Sequence, residues 1–470
     1  MTHRRIVWLS LLVAGFLVWD RSAEQAGQPI VPLNVYFGNL HSHTAYSDGT
    51  GTPRQAYHHA RTQGQLDFLA ITEHNHRNAG STGHDPANLS VALDHSLYNG
   101  AQAASLMSTA ASLNTQFANR FVALYGQEYS TNTDGNHVNV FDIGEVIDEE
   151  IVPNKRFDLF YPWIKTRLDT TGRVPIVQLN HPSSMTQDYG VLNFGTLDAT
   201  LTTARPFVRT IQIINGPHSA QTSGHRVNTI KSRSYLQYLD AGFRIAPTAD
   251  QDNHFLTHGS ATDHRTVVLA PALTKRDILD GIRQRRVYAS QDRNLRVHFT
   301  IDGHPLGSVV GLAANTPIRI EVQLTDPDEP NATYRVSLRR DEVGGELEAD
   351  REFAGSDRTG NGTVVFDEFQ HGTADEYFLV QVVQVGSDGA DTAWTAPIWL
   401  VAQSSTDDHP HDDGGVLGPG TPHADEFVWS QNSEVYHLAE CKIVSQISAP
   451  NRRSGHQPPE GKRLHSGCPH

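Results

Sequence analysis

Histidine and carboxylate side chains recur where the apolar, β-type runs of this sequence end. The run from Val35 to Leu40 leads into His41-Ser42-His43, and Leu66 to Ile71 leads into Thr72-Glu73-His74-Asn75. Phe121 to Tyr125 leads into Gly126-Gln127-Glu128, Val174 to Leu179 into Asn180-His181-Pro182, and Phe243 to Pro247 into a segment holding Asp250, Asp252 and His254. Residues two apart on an extended segment point to the same side. His41 with His43, and Asp252 with His254, can therefore each present paired donors. Asp48 follows the first pair in the turn Ser47-Asp48-Gly49, and His137 opens the alternating segment His137-Val138-Asn139-Val140. Imidazole and carboxylate without thiolate suit Zn, Mn or Fe, whereas Mg alone prefers oxygen ligands and keeps its water.

A single histidine at a strand end is ordinarily hydrogen-bonded or exposed, and that reading holds for His58, His59, His76, His84 and His95. His41, His43, His74, His181 and His254 share the strand-end position, which points to metal ligation. Carboxylates also cap turns; ligation is favoured for Asp48, Glu128 and Asp252 because each sits beside a histidine-bearing strand end. Asn75, Asn180, Asn215, His218, Arg244 and Arg265 fall on or near the same expected rim. They can contact substrate oxygens or protonate a leaving group, or serve as ordinary loop and surface groups.

Such residues act together only if the fold gathers the strand ends. From Val35 to about Asn294, apolar runs alternate with helical stretches, the pattern of a parallel α/β layer or barrel. There the C-terminal strand ends share one face. Thr52 can cap a helix over Arg54 to Gln63, with Pro53 at its start and Gly64 at its end. Further helices are expected over Ala101 to Phe117, Tyr161 to Thr170, Val227 to Leu239 and Lys275 to Arg285. After Leu295, strands such as Ile318 to Leu324, Thr333 to Leu338, Thr363 to Phe366 and Tyr377 to Val385 predict a small antiparallel β-sandwich.

At 470 residues, two or three domains are expected. The boundaries read as 33–295 for the α/β domain, 296–401 for the sandwich, 402–425 for a flexible linker and 426–470 for a small module. A net charge of −15 argues against a surface that neutralises many phosphates. Arg4 and Arg5 precede an apolar run from Ile6 to Trp19, shorter than a comfortable membrane span. Residues 1–26 are thus expected to form a signal peptide or N-terminal anchor of an exported, periplasmic or extracellular protein, with no other membrane contact. The two cysteines, Cys441 and Cys468, lie near the end, so the main body is neither disulfide-stapled nor thiolate-based. With His437 and His465 they form a small zinc site, or they pair with each other as a disulfide.

Gly38-Asn39-Leu40-His41-Ser42-His43-Thr44, followed by Ser47-Asp48-Gly49, resembles the opening motif of the polymerase and histidinol phosphatase (PHP) superfamily. Thr72-Glu73-His74, Asn180-His181-Pro182 and Asp252-Asn253-His254 resemble its later motifs in order, so the resemblance covers about Val35 to Asn294. Glu73 and Asn39 stand where Asp is frequent, and neither is an expected ligand. The resemblance implies a distorted seven-stranded (β/α) barrel holding two or three divalent transition metals. One would lie on His41, His43, Glu128 and Asp252; Glu128 would bridge to a second held by His137 and His181; a third would use Asp48, His74 and His254.

The implied activity is hydrolysis of a phosphate mono- or diester by metal-activated hydroxide, with Glu128, Asp252 and His254 as catalytic residues. The expected substrate is a small-molecule or nucleotide phosphoester. The exported, sandwich-bearing layout also resembles the branch that includes carbamate-insecticide hydrolases. A metal-dependent carboxylic-ester or carbamate hydrolase is therefore a second reading, and a noncatalytic metal-binding exported protein a third. The tail resembles short modules on some secreted nucleases, which favours nucleotides or nucleic-acid ends.

Overall fold

The computed structural model describes residues 32–75, 100–129, 137–148, 151–153, 156–170, 172–182, 204–342, 354–386 and 389–402, and short strands within 427–464. The first part contains β1 (Asn34–Asn39), α1 (Pro53–Thr62), β2 (Phe68–His74), α2 (Gly100–Gln116), β3 (Val122–Tyr129) and β4 (Val138–Phe141). There follow α3 (Phe157–Lys165), β5 (Ile176–Leu179), β6 (Val208–Asn215), α4 (Ser232–Asp240), β7 (Ala246–Asp250), β8 (Arg265–Ala270), α5 (Lys275–Arg283) and β9 (Val287–Ser290).

β1, β2 and β3 are parallel neighbours, as are β5, β6 and β7. Between these sets β4 runs antiparallel to both β3 and β5, and β8 and β9 continue antiparallel from β1. The sheet is therefore mixed, where the alternation of runs predicts a parallel one. A parallel neighbour needs a crossover of roughly a dozen residues, and only residues 130–137 separate β3 from β4. Among the described residues the ladders form an open path and not a closed ring, with β7 at one end. β7 packs on β8 and β9, and the Thr266 hydroxyl accepts from the Ala249 N–H at 2.9 Å.

The strands of the α/β part are buried on both faces, so they read as continuous apolar runs with helices outside them. α1 shows how the sequence sets such a helix. Thr52 and Gln55 form a capping box, Pro53 occupies the first turn, and Ala56, Tyr57 and Ala60 make one buried face. That face joins Leu69 and Ile71 of β2 and Leu106, Ala110 and Leu113 of α2 in one cluster. α3 begins before the expected Tyr161 and carries Pro162 inside it, because Phe157, Phe160 and Tyr161 bury a large aromatic surface there.

The later strands are β10 (Arg296–Ile301), β11 (His304–Pro305), β12 (Val309–Leu312), β13 (Pro317–Thr325), β14 (Thr333–Glu342), β15 (Ala354–Thr359), β16 (Gly362–Gln370), β17 (Glu376–Val385), β18 (Ala390–Thr395) and β19 (Ile398–Ala402). β11, β10, β13 and β16 form a small antiparallel sheet. The others extend the large sheet through pairing of β18 with β9, so that sheet runs across residue 295. Val297, Phe299, Ile320 and Val322 of the small sheet share a cluster with Val336, Leu338, Phe378 and Val380.

Near the end, β20 (Phe427–Ser430), β21 (Val435–Leu438), β22 (Arg452–Gly455) and β23 (Arg463–Leu464) form another sheet. Cys441, His465, Cys468 and the His437 side chain lie outside the described residues, as do residues 1–26, His76, His84, His95 and the expected linker beyond Ala402. No helix among the described residues is long and apolar enough to cross a membrane.

Candidate metal centre

The ends of parallel β1, β2 and β3 lie side by side, and so do those of β5, β6 and β7. His41 and His43 follow β1, His74 closes β2, Glu128 lies near the end of β3, and His137 precedes β4. His181 follows β5, and Asp252 and His254 follow β7. His181 and Asp252 have φ of 29° and 50°, the left-handed region that non-glycine residues occupy at a strain of about 1–3 kcal/mol. These bends occur at the strand ends that carry the donors.

Glu128 is fully buried at the centre of the group. Its Oε1 lies 3.1 Å from His41 Nε2, 3.0 Å from His137 Nδ1 and 3.5 Å from His181 Nε2. Its Oε2 lies 3.0 Å from His74 Nδ1 and 3.4 Å from His43 Nε2. Asp252 Oδ1 is 3.3 Å from His41 Nε2 and 3.1 Å from His43 Nε2, and those two nitrogens are 3.2 Å apart. On the other side of His43, Asp48 Oδ1 is 3.2 Å from His254 Nε2 and Oδ2 is 3.5 Å from His74 Nε2.

Among the described residues, three overlapping groups could each hold a metal: His41, His43, Glu128 and Asp252; His43, Asp48, His74 and His254; and His74, Glu128 and His137. The first is the set that the motifs imply. In the other two His74 turns one nitrogen to Glu128 and the other to Asp48, and His43 joins Asp48 and His254. Metal–ligand bonds of about 2.0–2.2 Å put neighbouring donors roughly 3.0–3.6 Å apart, which is the range of these separations. Among the described residues, the buried His43 Nδ1 has no hydrogen-bond partner. The donors fit two or three divalent metals.

Electrostatics agree with dense packing of opposite charges. Burial alone would depress His41, but the Asp252 and Glu128 carboxylates outweigh it and push the imidazole up to about 9. Burial is likewise overcome at His254, which Asp48 raises to about 10. At His43 burial prevails, aided by His254 and His74, and lowers it to about 3. The surrounding imidazoles hold Glu128 and Asp252 well below the usual carboxylate range despite their burial.

Other buried groups aim these donors. Asn180 Nδ2 donates to Glu128 Oε1 at 2.9 Å, and the Asn180 N–H donates to the His137 carbonyl at 2.9 Å. Asp250 Oδ1 accepts from the Leu40 N–H at 2.6 Å and its Oδ2 from Gln178 Nε2 at 3.1 Å, tying β7 to β1 and β5. Glu73 accepts from the Thr44 N–H at 3.0 Å and from the Thr44 and Ser47 hydroxyls, which fixes the loop between His43 and Asp48. Sequence reasoning passed over Gln212, whose signal was its place beside Thr210 among the apolar residues of β6, two positions apart on an inward-facing run.

A cavity of about 270 Å³ opens onto the donors, lined by His74, His137, His181, Asn215, His218, Asp252 and His254. Asn215 and His218, two of the expected substrate contacts, line it, whereas Asn75, Asn180, Arg244 and Arg265 do not. Asn75 is buried and donates to the Ile147 carbonyl at 3.2 Å, and Asn180 is turned to Glu128. Arg244 precedes β7, at the strand end away from Asp252. Arg265 is buried with its guanidinium donating to the Thr262, His264 and Gly64 carbonyls. His58 and His59 lie on α1 at a separate open depression and join none of the three donor groups. No protein-family model and no curated protein sequence matches the chain.

Proposed function

We propose that the chain is a metal-dependent phosphoesterase that holds two or three Zn-, Mn- or Fe-type ions and hydrolyses a phosphate mono- or diester of a small molecule or nucleotide. The observation that carries this reading is Glu128, one buried carboxylate in contact with imidazoles of all three donor groups beside an open cavity. Bound metals would supply acidified water as nucleophile at neutral pH and charge stabilisation on the substrate. Phosphorus as the site of attack, and a barrel as the scaffold, rest on the PHP-like motifs at His41-Ser42-His43, Thr72-Glu73-His74, Asn180-His181-Pro182 and Asp252-Asn253-His254.

The protein's own groups have distinct tasks. Glu128 and Asp252 hold negative charge among the imidazoles and so set how much cation the centre takes. His254 gives its Nδ1–H to the Asp252 carbonyl at 2.9 Å and thereby presents Nε2 to Asp48. His218, exposed at the cavity mouth, is placed to protonate a leaving oxygen, and Asn215 to orient the substrate. The cavity of about 270 Å³ lies below the roughly 300–1,000 Å³ of pockets for drug-sized ligands. The phosphate group enters and much of the rest of the substrate stays outside. Export through residues 1–26 belongs to the same reading.

The test is a panel of phosphate monoester, phosphate diester and aryl carbamate with one chromophoric leaving group, assayed with Zn and Mn. Turnover of either phosphate ester supports the proposal. Turnover of the carbamate alone replaces it with attack on carbon, and metal uptake without any turnover replaces it with a binding protein.

A further inference from the structure

We infer that Gln212, in the middle of β6, is a positioning residue that sets the proton on His41 and the orientation of Asp252 through one amide group. This rests on the reading of His41, His181 and Asp252 as metal ligands. Gln212 is fully buried, so its amide must find its partners within the protein.

The direction of every hydrogen bond follows from two backbone groups. The His181 N–H can only donate, and it lies 3.0 Å from Gln212 Oε1, so the oxygen must face it. The Asp250 carbonyl can only accept, and it lies 3.4 Å from Nε2, which fixes the other end of the amide. His41 Nδ1 is 3.3 Å from that same Oε1, so it must carry a hydrogen. His41 Nε2 is then the nitrogen that faces Glu128 and Asp252, donating to them while the ring is charged and free to bind a metal once that proton leaves. At the other end, Gln212 Nε2 donates to Asn215 Oδ1 at 2.7 Å. Asn215 is left with only its Nδ2 to offer, and it donates to Asp252 Oδ2 at 3.3 Å. Asp252 Oδ1 stays turned to His41 and His43. One side chain thus aligns ligands from β1, β5 and β7, the kind of outer contact whose loss weakens metal binding about 10- to 100-fold.

Two variants of the full chain separate this role from a general packing role. Gln212→Leu keeps the volume and removes all the hydrogen bonds, whereas Gln212→Glu keeps an acceptor for His41 but not the donor to Asn215. Metal-free protein labelled with ¹⁵N-histidine should show a slowly exchanging His41 Nδ1–H, lost in Gln212→Leu and retained in Gln212→Glu. Zinc affinity, measured against a competing chelator, should fall about 10- to 100-fold in Gln212→Leu and recover in part in Gln212→Glu.

A folded Gln212→Leu protein with the resonance and the zinc affinity unchanged overturns the inference. If Gln212→Leu fails to fold, Gln212→Glu decides: loss of the resonance there overturns it. A wild-type protein that binds no zinc refutes the metal reading instead, and the resonance alone then decides the role of Gln212.

Discussion

His43 and His254 stack with ring centroids 4.2 Å apart, yet their surroundings drive them to opposite protonation states. Burial lowers His43 to about 3, whereas the carboxylate of Asp48 raises His254 to about 10. The stack is tolerated because only one ring carries charge. Metal-free protein at neutral pH therefore stores protons at His254 and His41, on the atoms that a metal would need.

Metal uptake should release those protons. His41, raised to about 9, and His254, raised to about 10, are both charged at pH 7.5 and must free a nitrogen to ligate. Zinc titration calorimetry in buffers of different ionisation enthalpy should report release of about two protons at this pH. Affinity should rise with pH until these groups have titrated. Heats independent of buffer would contradict this assignment.

Glu73 should matter for one donor group more than for the others. Replacing it with Ala leaves the Thr44 N–H and the Thr44 and Ser47 hydroxyls without their acceptor, a loss of about 1–3 kcal/mol for each group that stays buried. The loop then no longer holds Asp48. Glu73→Ala should lose the metal of the Asp48, His74 and His254 group while keeping that of His41, His43, Glu128 and Asp252. Elemental analysis of the folded variant checks this, and an unchanged metal count would rule it out.

Away from the centre, Asp240 should make stability depend on pH. Burial raises its carboxyl from 3.8 to about 6, with Tyr377 donating to Oδ1 at 2.6 Å. Between these values the folded chain binds more protons than the unfolded one, so this group's contribution to stability falls as pH rises and is constant above about 6. Asp240→Asn keeps an acceptor for Tyr377 and removes the penalty. Urea unfolding should find the variant about 1–2 kcal/mol more stable than wild type at pH 7.5, after discounting for solvent screening, and little changed at pH 4. Equal stability at both values would contradict it.

What was legible in the sequence was mostly local. Burial on both faces writes a strand as an apolar run, so the donors in the last residues of β2 and β3 and just after β1, β5 and β7 could be placed at strand ends, and Thr52, Pro53 and Gly64 framed α1 closely. Strand direction leaves no such mark. β4 looks like any other apolar segment, and its antiparallel course follows from the short connection after β3. The pairing of β9 with β18 joins segments about a hundred residues apart, which no local pattern encodes. The charge of Arg265 suggests a substrate contact, but its guanidinium serves buried carbonyls. The strand-end place of Asn180 suggests the same, yet its amide donates to Glu128.

The central claim is that these side chains form a polynuclear metal centre, and metal content tests it most directly. Purified wild-type protein, analysed by elemental mass spectrometry after exhaustive dialysis, should hold at least about two transition-metal ions per chain, and folded His43→Ala and Asp252→Ala should lose ions with a fall in activity of more than about 100-fold. Wild-type protein with less than about one ion per chain, after supplementation with Zn and Mn, would contradict the account.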